Sequence, residues 1–242
     1  MILLAVTTPA ELAPEDSIFV RLAASCPADW HAYVEHDFVR QLADASLPEA
    51  CFRHYLGQDY LFLMHFARAY GLAAFKSDDL KDMRRAAATL DALINAEMSL
   101  HVKYCQGWGL SEADMAALPE DPRNMAYTRF VLERGLAGDL LDLLVALAPC
   151  VVGYGEIGLH LKADPATRLE NNPYRDWIET YAGADYQEVA RGAVVQLDEV
   201  ARRRIGEDPE SSGRWPQLAE TFRAATRLEI GFWDMGLSPA DG

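Results

Sequence analysis

The chain has 242 residues, half of them hydrophobic, which is enough to bury a sizeable core in one globular domain. Its formal net charge of −15 argues against nucleic-acid binding, which needs clustered Lys and Arg to neutralise phosphates. Four cysteines, at 26, 51, 105 and 150, show no CxxC spacing, and with no secretory leader they read as reduced thiols of a cytoplasmic protein.

Taken in chain order, Met1–Val6 is apolar but lacks the basic start and the length of a signal segment, so residues 1–28 read as an extension and lead-in to a folded domain over 29–242. Apolar residues then recur at three and four, the helical period, and no strand pattern stands out. The pattern predicts helices over Asp29–Ala45, Pro48–Lys76, Ser77–Gly107, Ser111–Ala117, Asp121–Gly135, Asp139–Lys162, Pro173–Tyr181, Ala184–Ile205 and Glu210–Gly236. Ser46 before Pro48, Asn172 before Pro173, and Ser111 before Glu112 and Asp114 supply polar caps. No internal repeat or Pro/Gly/Ser-rich linker divides the chain, so the expectation is a single-domain all-α bundle with functional groups pointing inward from facing helices.

The segment Asp139–Leu161 is the most apolar. Asp139, Asp142 and Glu156 would be expensive in a bilayer, so it reads as a buried central helix and not a membrane span. Pro149 falls in its middle, where the ring removes a hydrogen bond at a cost of about 3 kcal/mol. Such a cost points to a site at the next residue, Cys150. Helical spacing puts Tyr154 one turn beyond it, while Gly153, Gly155 and Gly158 let something approach the backbone closely.

Other residues allow two readings each. Asp59, within the aromatic-rich Tyr55–Phe66, either bonds a neighbouring helix or lies exposed on the polar side, or else recognises N–H groups of a ligand. Glu229, between Leu228 and Ile230, is either a surface glutamate or an acid whose pKa apolar surroundings raise into a useful range. Tyr127 and Tyr181 are core aromatics or ligand contacts. The pairs Glu97/His101 and Glu156/His160 sit on helix faces at i,i+4. Dimetal carboxylate bundles use Glu-x-x-His instead, so these spacings favour ordinary helix pairs; a metal-dependent oxidase or oxygenase using both faces is the rival enzyme class.

The set LPEACFRHYLGQDYLFLMHFARAYGLAA, EMSLH, AYTRF, LAPCVVGYGEIG, PYRDWIETYAG and LEIGFWDM, in that order between about Trp30 and Met235, resembles the TenA family, also called thiaminase II or aminopyrimidine aminohydrolase. The resemblance implies an all-α haem-oxygenase-like fold, a homotetramer without cofactor or metal, and hydrolysis of aminopyrimidines from degraded thiamin to the hydroxymethyl compound. It implies that Cys150 is the nucleophile, Glu229 the proton donor and Asp59 the group that binds the aminopyrimidine edge, with Tyr154 and Tyr181 contacting substrate and Tyr127 lining the pocket. Phe62 stands where members commonly have a tyrosine thought to sharpen the nucleophile, so that either another phenol, Tyr60 or Tyr154, activates Cys150, or turnover is slower, or the substrate differs from the family norm. Gly236-Leu237 likewise replaces the Ala-Tyr often found there. Some members have also been described as regulators, a non-enzymatic alternative.

Overall fold

A computed structural model describes residues 8–238, with every side chain among them except those at 96, 97, 99, 100 and 103; the reading of Met1–Val6 lies outside these residues. Among the described residues the chain is helical, with no strand, as the hydrophobic period predicts. The order is α1 (Ile18–Ser25), α2 (Pro27–Val34), α3 (Asp37–Asp44), α4 (Glu49–Lys76), α5 (Leu80–Ala92), α6 (Met98–Gln106), α7 (Glu112–Ala116), α8 (Pro122–Ala137), α9 (Leu140–Ala163), α10 (Arg175–Tyr181), α11 (Ala184–Ile205) and α12 (Trp215–Leu237). A π-helical turn, Leu93–Glu97, continues α5 into α6.

The long elements fall near where the periodicity places them, although the last, expected from Glu210, begins at Trp215 after a 3-10 turn at Pro209–Ser211; the other differences lie at caps and at one short helix. Where one helix is expected over Asp29–Ala45, two form. The Glu35 N–H closes α2 on the His31 carbonyl, and the His36 ring accepts from the Phe38 N–H at 3.2 Å to begin α3. Helix α1 is not predicted at all, because eight residues are too few to display a period and a helix that short depends on packing. Ser17 accepts from Val20 N–H at 3.3 Å, the Ile18 N–H bonds Asp198 at 2.8 Å, and Phe19 and Leu22 are fully buried.

At Ser111 the expected cap forms as a reciprocal box with Asp114. At Asn172 it does not: its carbonyl takes the Tyr174 N–H at 2.8 Å and its amide donates to Leu42 and Arg168, which delays α10 to Arg175. Ser46 likewise is not the cap of α4, whose N-cap position is Pro48.

This all-α domain comprises two compact units, Met1–Leu47 with Leu144–Ile230 and Pro48–Leu143 with Gly231–Gly242. The first is centred on Trp30, edge-on to Phe19 at 5.4 Å and stacked on Phe222 at 5.5 Å. Buried aromatics of this size contribute on the order of 1.5–3 kcal/mol each.

In the second unit Tyr55 packs against Phe232 at 5.9 Å and Trp233 at 5.5 Å. Gln58 braces the same turn of α4: its carbonyl oxygen accepts from Asp121 N–H at 2.9 Å, its amide donates to Pro119 at 2.9 Å, and Asn124 donates to its backbone oxygen at 2.8 Å. Helix α9 is long and apolar enough to cross a membrane, but 94% of its most apolar stretch is buried inside the protein, so its composition serves the interior.

Candidate active site

Helix α9 starts with Asp139, which accepts from the Leu141 N–H at 2.9 Å while Asp142 takes the Asp139 N–H at 2.8 Å. It then continues through Pro149 to Ala163 without ending. In the first unit two phenols reach its backbone beside Cys150. The Tyr33 hydroxyl donates to the Pro149 carbonyl and the Tyr186 hydroxyl to the Val151 carbonyl, each at 3.2 Å. Cys150 itself is half-buried, whereas Cys26, Cys51 and Cys105 are buried; none of the four is in a disulfide. Burial pushes the Cys26 and Cys105 thiols up to about 11, which makes them inert.

The glycines after Cys150 admit close approach, as the sequence pattern anticipates, without having indicated by what. A Cβ on Gly153 would lie 2.3 Å from the Tyr33 ring, and one on Gly158 would lie 2.5 Å from the Tyr181 backbone. Gln187, buried on α11, donates to both the Gly155 and Tyr181 carbonyls, at 2.9 and 2.7 Å, and so ties the end of α10 to α9. The result is an aromatic cluster: Tyr154 lies 4.9 Å from Tyr181 and 5.9 Å from Trp177, ring centre to ring centre, and Tyr186 lies 4.7 Å from Tyr181. Cys150 on α9 therefore has Tyr154 one turn on, and Tyr154 meets Tyr181 directly. Glu229, on α12, is 1% exposed, so of its two sequence readings the surface one is excluded.

The second unit brings together the remaining candidates. Asp59 is buried, and its Oδ2 lies 2.6 Å from His101 Nε2. Phe62, one turn along α4, lies 5.2 Å from Phe66, 5.1 Å from Tyr127 and 5.5 Å from Phe232, a closed ring wall. Tyr60 points elsewhere: its hydroxyl donates to Glu112 at 3.2 Å, and it lines a groove of about 810 Å³ with Met64, Arg68 and Met98 on a different face of α4 from Asp59 and Phe62.

His101 brings its ring to Asp59 across helices; its expected helix-face pairing with Glu97 involves a side chain outside the described ones. Glu156, expected to pair with His160, is 1% exposed, accepts from the Trp30 indole at 3.1 Å, and has His160 close enough to favour its charged form. Among the described residues no three His, Cys, Asp or Glu side chains converge as metal ligands would. Tyr33, Tyr186 and Gln187 were not singled out from sequence, because bonds to a backbone carbonyl on another helix leave no spacing signal.

A model of the TENA/THI-4/PQQC family matches residues 25–238. An uncharacterized protein of Haemophilus influenzae is 40% identical over 211 residues, 87% of this chain and 94% of that one. An aminopyrimidine aminohydrolase of Halalkalibacterium halodurans is 36% identical over 207 residues, 85% of this chain and 89% of that one. Among solved structures, a TenA family transcription regulator from a Silicibacter species superimposes with a TM-score of 0.87 at 48% identity, covering 91% of this chain and 96% of that one.

Proposed function

The chain belongs to the TENA/THI-4/PQQC family, and on that footing we propose that it is a hydrolase releasing the exocyclic amine of aminopyrimidines from degraded thiamin, by covalent catalysis at Cys150. The observation that carries the reading is the state of Cys150: it is the one cysteine of the four that is not fully buried, and it sits after a mid-helix proline with Tyr154 one turn away.

The chemistry explains why a thiol and an acid would be needed. Expelling an amine from the methylene attached to an aromatic pyrimidine is hard while the ring keeps its aromaticity. Addition of the Cys150 thiolate to the unsubstituted ring carbon next to the one bearing the methylene forms a C–S bond and dearomatises the ring. The displaced ring electrons then expel the amine as Glu229 protonates it, leaving an exocyclic alkene. Water adds there and gives up a proton, the C–S bond breaks, and the thiolate leaves with its electron pair as aromaticity returns. Asp59 would accept from the 4-amino group, and Tyr154, Tyr181, Tyr127 and Phe62 would contact the ring. With Tyr60 committed to Glu112, Tyr154 is the better placed of the two phenols available to the thiol. The same reading carries a cytoplasmic homotetramer that needs no cofactor.

Incubating the purified protein with 4-amino-5-aminomethyl-2-methylpyrimidine, and separately with thiamin, tests the assignment. Formation of 4-amino-5-hydroxymethyl-2-methylpyrimidine is expected, and no product from either substrate would reject it. The description of the Silicibacter relative favours a second reading, a regulatory protein. The net charge of −15 opposes direct DNA contact, and salt-dependent binding in a gel-shift assay would reinstate it.

A further inference from the structure

Asp59 and His101 form a contact the function above does not use. Their side chains are 6% and 5% exposed, they lie on α4 and α6, and 2.6 Å separates Oδ2 from Nε2. That distance is short even for a hydrogen bond with a charged partner. A buried carboxylate without partners is costly and free to turn between rotamers. A carboxylate oxygen accepts, so His101 Nε2 is the donor of this bond. The donation fixes Oδ2 and with it the plane of the carboxylate. The turn of α4 beneath is held independently by Gln58, through Asp121 and Asn124. Backbone and side-chain orientation of Asp59 are thus set by separate partners.

We propose that His101 is the positioning residue for pyrimidine recognition: it holds the Asp59 carboxylate in one rotamer, so that Oδ1 meets the donor N–H of an aminopyrimidine edge. The proposal rests on the reading of Asp59 as the group that binds that edge. It also gives a purpose to the motif EMSLH, which ends at His101.

The test is steady-state hydrolysis of the aminomethylpyrimidine by wild type, Asp59→Asn, His101→Leu, His101→Gln and the double variant Asp59→Asn/His101→Leu, with melting temperatures alongside. His101→Leu is expected to raise KM about 10–100-fold, the worth of a hydrogen bond to a charged group, with kcat within about threefold. His101→Gln, whose amide nitrogen reaches a similar place, should recover KM to within about threefold of wild type. In the Asp59→Asn background the leucine change should raise KM no further. Should the leucine variant fail to fold, His101→Asn takes its place, since its shorter amide cannot span the contact, and the same rise in KM is expected. An unchanged KM in His101→Leu or His101→Asn, with KM raised in Asp59→Asn, would overturn the proposal and leave the reading of Asp59 standing. An unchanged KM in Asp59→Asn would remove that reading, and the proposal with it.

Discussion

The Tyr33 hydroxyl donates to the carbonyl of Pro149, the residue before Cys150, while the Tyr33 ring fills the space that a Cβ at position 153 would need. A side chain from α2 thereby holds α9 on both sides of the cysteine. Gly153→Ala should push the Tyr33 ring from its place, cost about 1–3 kcal/mol of stability, and lower kcat by moving the Pro149–Cys150 turn. Tyr33→Phe keeps the ring and loses only the hydrogen bond, for about 0.5–1.5 kcal/mol. Chemical denaturation of both variants checks the order, which is alanine worse than phenylalanine.

Gln187→Leu should loosen Tyr181. Both amide donors are used, on Gly155 and on Tyr181 itself, so the change leaves the Tyr181 carbonyl short of a buried partner at about 1–3 kcal/mol. The expected kinetic mark is a raised KM for the aminopyrimidine, because Tyr181 loses its fixed place beside Tyr154.

Glu156 should make stability depend on pH. Burial raises its carboxyl above the ordinary value of 4.5, offset in part by nearby His160 and the Trp30 indole. A raised carboxyl favours the neutral form in the fold, so its contribution is fully present below about 4.5 and is lost as pH rises through the folded value. Glu156→Gln stays neutral throughout. Its stability relative to wild type should therefore improve as pH rises from 4.5, as read by denaturant midpoints across that range.

What sequence could and could not convey follows from the range of the interactions. Helix α11 was legible to the residue, Ala184–Ile205, because a 22-residue amphipathic run shows several full periods. Helix α1 was not, because its stability comes from Phe19 packing on Trp30 and Phe222, partners distant in sequence. The same holds for the candidate site. Tyr154 one turn after Cys150 is a local spacing, readable from the chain. The bond from His101 to Asp59 spans 42 positions, and the helical period placed His101 on a face with Glu97 without indicating which helix that face meets. Gly153, Gly155 and Gly158 signalled close approach correctly, but not that Tyr33, Gln187 and the Tyr181 backbone are what approach.

The central claim is that Cys150 attacks the pyrimidine, and the most direct measurement compares wild type with Cys150→Ser for formation of the hydroxymethylpyrimidine from the aminomethyl compound. A hydroxyl is a far poorer nucleophile than a thiolate, so the serine variant should keep its fold and melting temperature while kcat falls on the order of 1,000-fold or more. Wild-type turnover by the folded serine variant would contradict the account.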